Sequence, residues 1–253
     1  QTVVDEKQQA YDRRMADHVA ENAASYRKLT PQIKLVVGNS GGANLGLLAA
    51  LYRAGVPRDQ IDYIGEETVG MTMPPELSVA KVNWLNQEVA RLHGYEGIPV
   101  TACFEWKCRR SRLLGLERFA EWHIRDLLIG HAWRQTLIPM TVLPDVSTSY
   151  NNTVWGDGGF TPNPQLYPKP IYPAVATATL VLDQAQFQRQ LDTGSLTAYG
   201  LEFKHGEQFI YAFWSARGEF NATVTFAKEA AVRETTLYGA TRDRQTEGGR
   251  LTV

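Results

Sequence analysis

The 253 residues carry 26 Lys and Arg against 27 Asp and Glu, a formal charge of −1, with 43% hydrophobic and 21% charged residues. That balance excludes a strong electrostatic footprint for nucleic acid or an anionic membrane, and no apolar run approaches the roughly 20 residues that span a bilayer. Two cysteines, Cys103 and Cys108, offer no disulfide framework, and the histidines at 18, 93, 123, 131 and 205 make no metal-ligand spacing with them. The composition therefore predicts a globular protein with no metal and no cofactor. It leaves the compartment open, because the sequons at Asn151 and Asn221 matter only in a secreted eukaryotic chain. The opening Gln-Thr-Val-Val-Asp-Glu-Lys has neither an initiator Met nor a signal-peptide core, and reads as an internal starting point.

In chain order, small and apolar residues at helical spacing predict a helix from Asp5 to Leu29, closed by Thr30-Pro31. Ile33–Gly38 reads as a buried strand and Leu45–Ala54 as a helix stopped by Gly55. The alternation repeats with a strand at Ile61–Gly65, a helix at Leu77–Leu92, a strand at Val100–Phe104, a helix from Leu116 to about His131, a strand at Leu137–Leu143 and a helix from about Tyr172 to Leu182. Four strand-helix units in succession imply a parallel sheet. After about Gln186 short strands are expected at Leu196–Phe203, Phe209–Ser215, Ala222–Phe226, Ala231–Tyr238 and Leu251–Val253, with turns at Gly206, Gly218 and Gly239. The fold class is thus α/β. Residues 1–186 make half of a (β/α)8 barrel, its strands five to eight, and 187–253 a small, incomplete antiparallel β-sandwich.

The run Ile98-Pro-Val-Thr-Ala-Cys-Phe-Glu105-Trp106 carries the most chemistry. A buried apolar strand has no reason of its own to finish in a carboxylate beside an indole, whereas a sugar site wants a carboxylate for the anomeric carbon and an aromatic face for the ring. Gly38-Asn-Ser, Asp62-Tyr-Ile-Gly-Glu-Glu67, Phe104-Glu105-Trp106, Asp145, Tyr150, Trp155-Gly156-Asp-Gly-Gly159 and Pro168-Lys-Pro-Ile-Tyr172 follow in that order. So arranged, the chain resembles the second half of the clan A retaining (β/α)8 glycoside hydrolases, of the xylosidase, iduronidase and arabinofuranosidase types. Phe209–Gly218 and Thr236–Gly239 resemble the β-sandwich that follows such barrels.

The resemblance implies that Glu105 is the nucleophile of a retaining mechanism on O-glycosidic bonds of an oligosaccharide or polysaccharide. The acid/base of that family ends the fourth strand after an Asn. No Asn-Glu pair occurs in this chain, so the acid/base is expected from an N-terminal barrel half in the same gene or on a partner chain. Glu67, on the alternation of Tyr63 and Gly65, is expected to orient Glu105 or bind a sugar hydroxyl. Trp106 and Trp155 are candidate stacking faces, and Asp145 and Tyr150 candidate hydrogen-bonding groups. Glu76, after Pro74-Pro75, reads as a helix-start acid, and Trp84, Trp122, Trp133 and Trp214 as packing.

Two other classes remain open. One is a non-catalytic carbohydrate-binding or structural module. The other is a serine esterase, because Gly38-Asn39-Ser40-Gly41-Gly42 fits G-x-S-x-G between a strand and a helix and resembles the nucleophile elbow of hormone-sensitive-lipase-type α/β-hydrolases, with Ser40 as nucleophile. No His-Gly-Gly-Gly stretch precedes it to supply an oxyanion hole. The segment also lacks the Lys-Ser/Thr end of a phosphate loop.

Overall fold

A computed structural model of the chain describes residues 6–37, 45–66, 74–77, 94–95, 97–98, 100–102, 111–132, 158–162 and 165–253. Contacts divide the chain into two compact units. The first is Gln1–Met71 with Leu77–Cys108 and Trp133–Met140; the second is Thr72–Glu76 with Arg109–Ala132 and Thr141–Val253.

In the first unit, helix α1 (Glu6–Leu29) is followed by strand β1 (Val36–Val37), helix α2 (Leu45–Arg53), strand β2 (Tyr63–Glu66) and strand β3 (Val100–Ala102). Met15, Ala16, Val19, Ala20 and Ala23 recur at helical spacing on α1; Ala16 and Ala23 are buried. Ala16 joins Ala50 and Leu51 of α2, Val37, Val56, Ile61, Tyr95 and Ile98 in one apolar core. The three strands are parallel and lie in the order β1-β2-β3, with Val36 opposite Tyr63 and Gly65 opposite Thr101. β1 is shorter than the sequence predicts, although Leu35 just before it still accepts backbone hydrogen bonds from Asp62 and Tyr63.

The second unit holds helices α3 (Ser111–Leu114), α4 (Leu116–Ala132) and α5 (Ile171–Val181) and all the antiparallel sheet. Phe119, Ala120 and Ile124 of α4 meet Ile171 and Ala174 of α5, with Leu114, Phe160 and Leu237 around them. Strands β4 (Gln186–Leu191), β5 (Ala198–His205) and β6 (Gln208–Ser215) form a meander; β7 (Thr223–Thr225) pairs with β10 (Arg250–Thr252), and β8 (Ala231–Thr235) with β9 (Thr241–Gln245).

Alternation along β5 sorts the meander into two faces. Leu201 and Phe203 are fully buried; Phe203 stacks on His131 of α4 at 5.3 Å, and the His131 ring nitrogen Nε2 lies 2.6 Å from the Ala185 carbonyl. The opposite face carries Glu202 and Lys204 with their partners Tyr211 and Phe209. Gly200 lies there too, and a Cβ on it would come within 2.9 Å of the Phe213 ring. That close approach explains a glycine in the centre of a strand.

The strands at β5, β6, β7, β8 and β10 match expectation within a few residues, whereas β4 and β9 were not expected. β9, Thr-Arg-Asp-Arg-Gln, contains no apolar residue, so it has no hydrophobic alternation to read; cross-strand pairs such as Arg233 with Asp243 at 2.9 Å accompany its pairing with β8. The predicted helix at Leu77–Leu92 and strand at Leu137–Leu143 fall outside the described residues, apart from Leu77 at the start of a helical turn.

Gly239, in the β8–β9 loop, has φ +87°, and a Cβ there would lie 2.9 Å from Thr177 Oγ1 on α5. Gly239→Ala is expected to cost about 1–3 kcal/mol, combining a left-handed backbone with the steric contact. Gly206→Ala, at φ +59° in open space, should cost less. Urea unfolding of the two variants gives the order directly.

Candidate functional site

β2 and β3 end level with each other, Glu66 opposite Ala102. In parallel α/β sheets ligands gather beyond the carboxyl ends of the strands, because the loops that can carry chemistry leave from there. Glu67 is the next residue after β2, and Glu105 and Trp106 come three and four residues after β3. Glu67, Glu105, Trp106, Asp145, Tyr150, Trp155 and Ser40 themselves lie outside the described residues.

Charge at the opposite, amino-terminal end of the sheet serves stability. Asp62, immediately before β2, accepts from the Leu35 backbone N–H at 2.9 Å, from Arg27 Nη2 at 2.6 Å and from Lys34 Nζ at 3.2 Å. Burial works to raise its pKa, but the Leu35 hydrogen bond and the two cations outweigh it and hold the carboxyl below the usual range. A depressed folded pKa gives stability that is complete above the unfolded value near 4 and is lost as pH falls through the folded one. Asp62→Asn is therefore expected to lower stability by about 1–3 kcal/mol at neutral pH. It should also flatten the acid limb of a stability–pH curve below about pH 4, as denaturant titrations at stepped pH would record.

Tyr95, buried beside Tyr52, donates its hydroxyl to the Val56 carbonyl at 3.2 Å. Burial, aided by Tyr52, pushes its pKa up to about 12. The group thus belongs to the fold and is not a proton donor near neutral pH.

In the second unit, Glu76, Arg125 and Trp214 form a buried polar clasp. Arg125 Nε lies 2.8 Å from Glu76 Oε1, and its Nη2 donates to Oε2 at 3.0 Å. Trp214 Nε1 donates to Oε1 at 2.8 Å, and its ring stacks on Tyr199 at 5.2 Å with only 7° between the planes. The Glu76 and Arg125 side chains are 7% and 9% exposed. Burial, and then the Glu76 charge, raise the Tyr199 pKa against the opposing pull of Arg125. Both Glu76 oxygens are engaged, Oε1 by Trp214 and Oε2 by Arg125, so this carboxylate holds structure.

This clasp adds to two sequence expectations. Glu76 starts a helical turn as expected, and its side chain also binds Arg125 and Trp214; Trp214 packs on Tyr199 and is a hydrogen-bond donor as well. Its partners lie 49 and 138 positions away, beyond any local periodicity. The rigid Pro74-Pro75 pair before Glu76 was the one local signal of a fixed placement. Among the described residues no group of His, Cys, Asp and Glu is placed to hold a metal ion, and no helix is long and apolar enough to cross a membrane.

No protein-family profile and no curated protein matches the sequence. A solved structure of a family 39 glycoside hydrolase from the gut symbiont Bacteroides cellulosilyticus WH2 superposes on 95% of the chain with a TM-score of 0.62 at 16% identity. The chain spans 52% of the length of that protein. Over nearly all its residues, then, the chain has a glycoside hydrolase-like fold.

Proposed function

We propose that this chain is part of a retaining glycoside hydrolase acting on O-glycosidic bonds of an oligosaccharide or polysaccharide. It comprises the second half of a (β/α)8 barrel, residues 1–186, and a β-sandwich from 187 onward. The observation that carries the reading is the conjunction of a glycoside hydrolase-like fold over 95% of the chain with Glu105 three positions in sequence after Ala102, the last described residue of a parallel strand. The unreversed order β1-β2-β3 suits successive strands of a singly wound barrel.

Glu105 is the nucleophile: its carboxylate attacks the anomeric carbon and forms a glycosyl ester as the leaving oxygen departs. The acid/base that protonates that oxygen comes from an N-terminal barrel half, in the same gene or on a partner chain, which also covers the edges a half barrel leaves open. Glu67 orients Glu105 or binds a hydroxyl, and Trp106, Asp145, Tyr150 and Trp155 shape the sugar subsite. The ligand is a carbohydrate; neither nucleic acid nor a membrane enters the reading.

Trapping tests the assignment. A complete enzyme incubated with a 2-deoxy-2-fluoro glycoside carrying an activated leaving group should expel that group and accumulate the glycosyl ester. Peptide mass spectrometry should find the added mass on Glu105; a label on another carboxylate would reject it.

A further inference from the structure

Where β4 begins and β5 ends, Gln184, Gln186, Gln188, Lys204, His205 and Gly206 line an open cleft of about 400 Å³. We infer that this cleft is a binding site for a neutral glycan chain, formed by residues other than those proposed for catalysis. Two backbone irregularities converge on it. Gln184 adopts a left-handed φ of +55°, rare for a residue with a side chain. The β4–β5 register slips between Phe187 and Arg189, leaving Gln188 as the extra residue of a bulge and placing it on the cleft beside Gln186. Bulges and left-handed non-glycine residues re-aim side chains at a cost, and they concentrate where that aim is used.

The backbone beneath is fixed. The Ala185 N–H donates to the Leu182 carbonyl, and the Ala185 carbonyl lies 2.6 Å from His131 Nε2. The lining chemistry selects the ligand. Three primary amides line it; Gln188 Nε2 donates to the Gln186 carbonyl at 3.0 Å, and the remaining amide donors and acceptors match hydroxyl groups that both give and take hydrogen bonds, with no carboxylate among the described lining residues. Lys204, on the same lining, holds its Nζ 5.4 Å from the centroid of the Phe209 ring across the strand pair. Phe209 is 53% exposed and lies nearly parallel to Tyr211, 17° between planes at 6.4 Å, giving the neighbouring strand an apolar flank for the C–H face of a sugar. The volume falls within the range of small-molecule sites.

Affinity electrophoresis of the full chain tests this, with soluble xylan, galactomannan and mixed-linkage β-glucan as neutral probes and polygalacturonate as the anionic one. Retardation is expected with at least one neutral polymer. The Gln186→Ala/Gln188→Ala double variant should weaken it at least ten-fold, and Phe209→Ala should weaken it to a lesser degree. Gln186, Gln188 and Phe209 are exposed, and unchanged thermal unfolding of the variants shows that the fold is kept. Retardation by polygalacturonate alone, by no polymer, or undiminished in the double variant would overturn the inference. Binding lost in Trp155→Ala but kept in the double variant would place the glycan at the proposed sugar subsite, overturning the cleft and leaving the hydrolase reading intact.

Discussion

Glu76→Ala should destabilise the second unit by about 3–5 kcal/mol, the cost of leaving a buried charge without its partner. Arg125, 9% exposed, would be left as a buried guanidinium without its carboxylate. The Trp122 ring, 5.8 Å from its Cζ, is a weak substitute for a carboxylate held by two close contacts. The same substitution strips the acceptor from Trp214 Nε1, which adds an unmet buried donor. The double variant Glu76→Leu/Arg125→Met should recover most of the loss, since removing both charges removes the desolvation problem itself. Urea unfolding followed by tryptophan emission measures both. Equal destabilisation of the single and double variants would show that the clasp matters by shape alone.

How legible this protein was depended on whether the relevant signal was local. α1, α4 and α5 announce themselves through apolar spacing and breakers within one window, and their observed ends lie within a residue or two of expectation. β5 and β6 are as clear, since Phe203, Phe209 and Trp214 sit on alternating, half-apolar runs around a glycine turn. β4 was hidden because Gln-Phe-Gln-Arg-Gln-Leu is mostly polar, and its bulge breaks the period of two. The Asp62 cluster was half visible: Asp62 was read as part of a strand motif, but Arg27, 35 positions earlier, gave no sign of reaching it. For the Glu76 clasp nothing in the sequence joined a residue at the start of a helical turn to one on α4 and one on β6. The proposed catalytic positions stand apart from both cases. Glu105 stands out in the sequence because a carboxylate next to an indole is out of place on an apolar strand, and Glu67 through its alternation with Tyr63 and Gly65; both lie outside the described residues.

Glu105→Gln should abolish glycosidase turnover, by about four orders of magnitude or more. The nucleophile acts in the step that makes the covalent intermediate, and its loss is not shared with any other group. An amide keeps the size and most hydrogen bonds of the carboxylate but cannot form the glycosyl ester, so substrate binding should survive while kcat collapses.

The most direct measurement takes the chain extended to its gene start and assays it on a panel of aryl glycosides beside Glu105→Gln and Ser40→Ala. We expect the unaltered protein to turn over at least one substrate and the Glu105 variant to fail on it. Azide should restore aryloxide release by attacking the anomeric carbon in place of the missing carboxylate. Ser40→Ala should remain active. No turnover by the unaltered extended protein, or activity that survives Glu105→Gln, would contradict the central claim. Ester hydrolysis lost only in Ser40→Ala would replace it with the esterase.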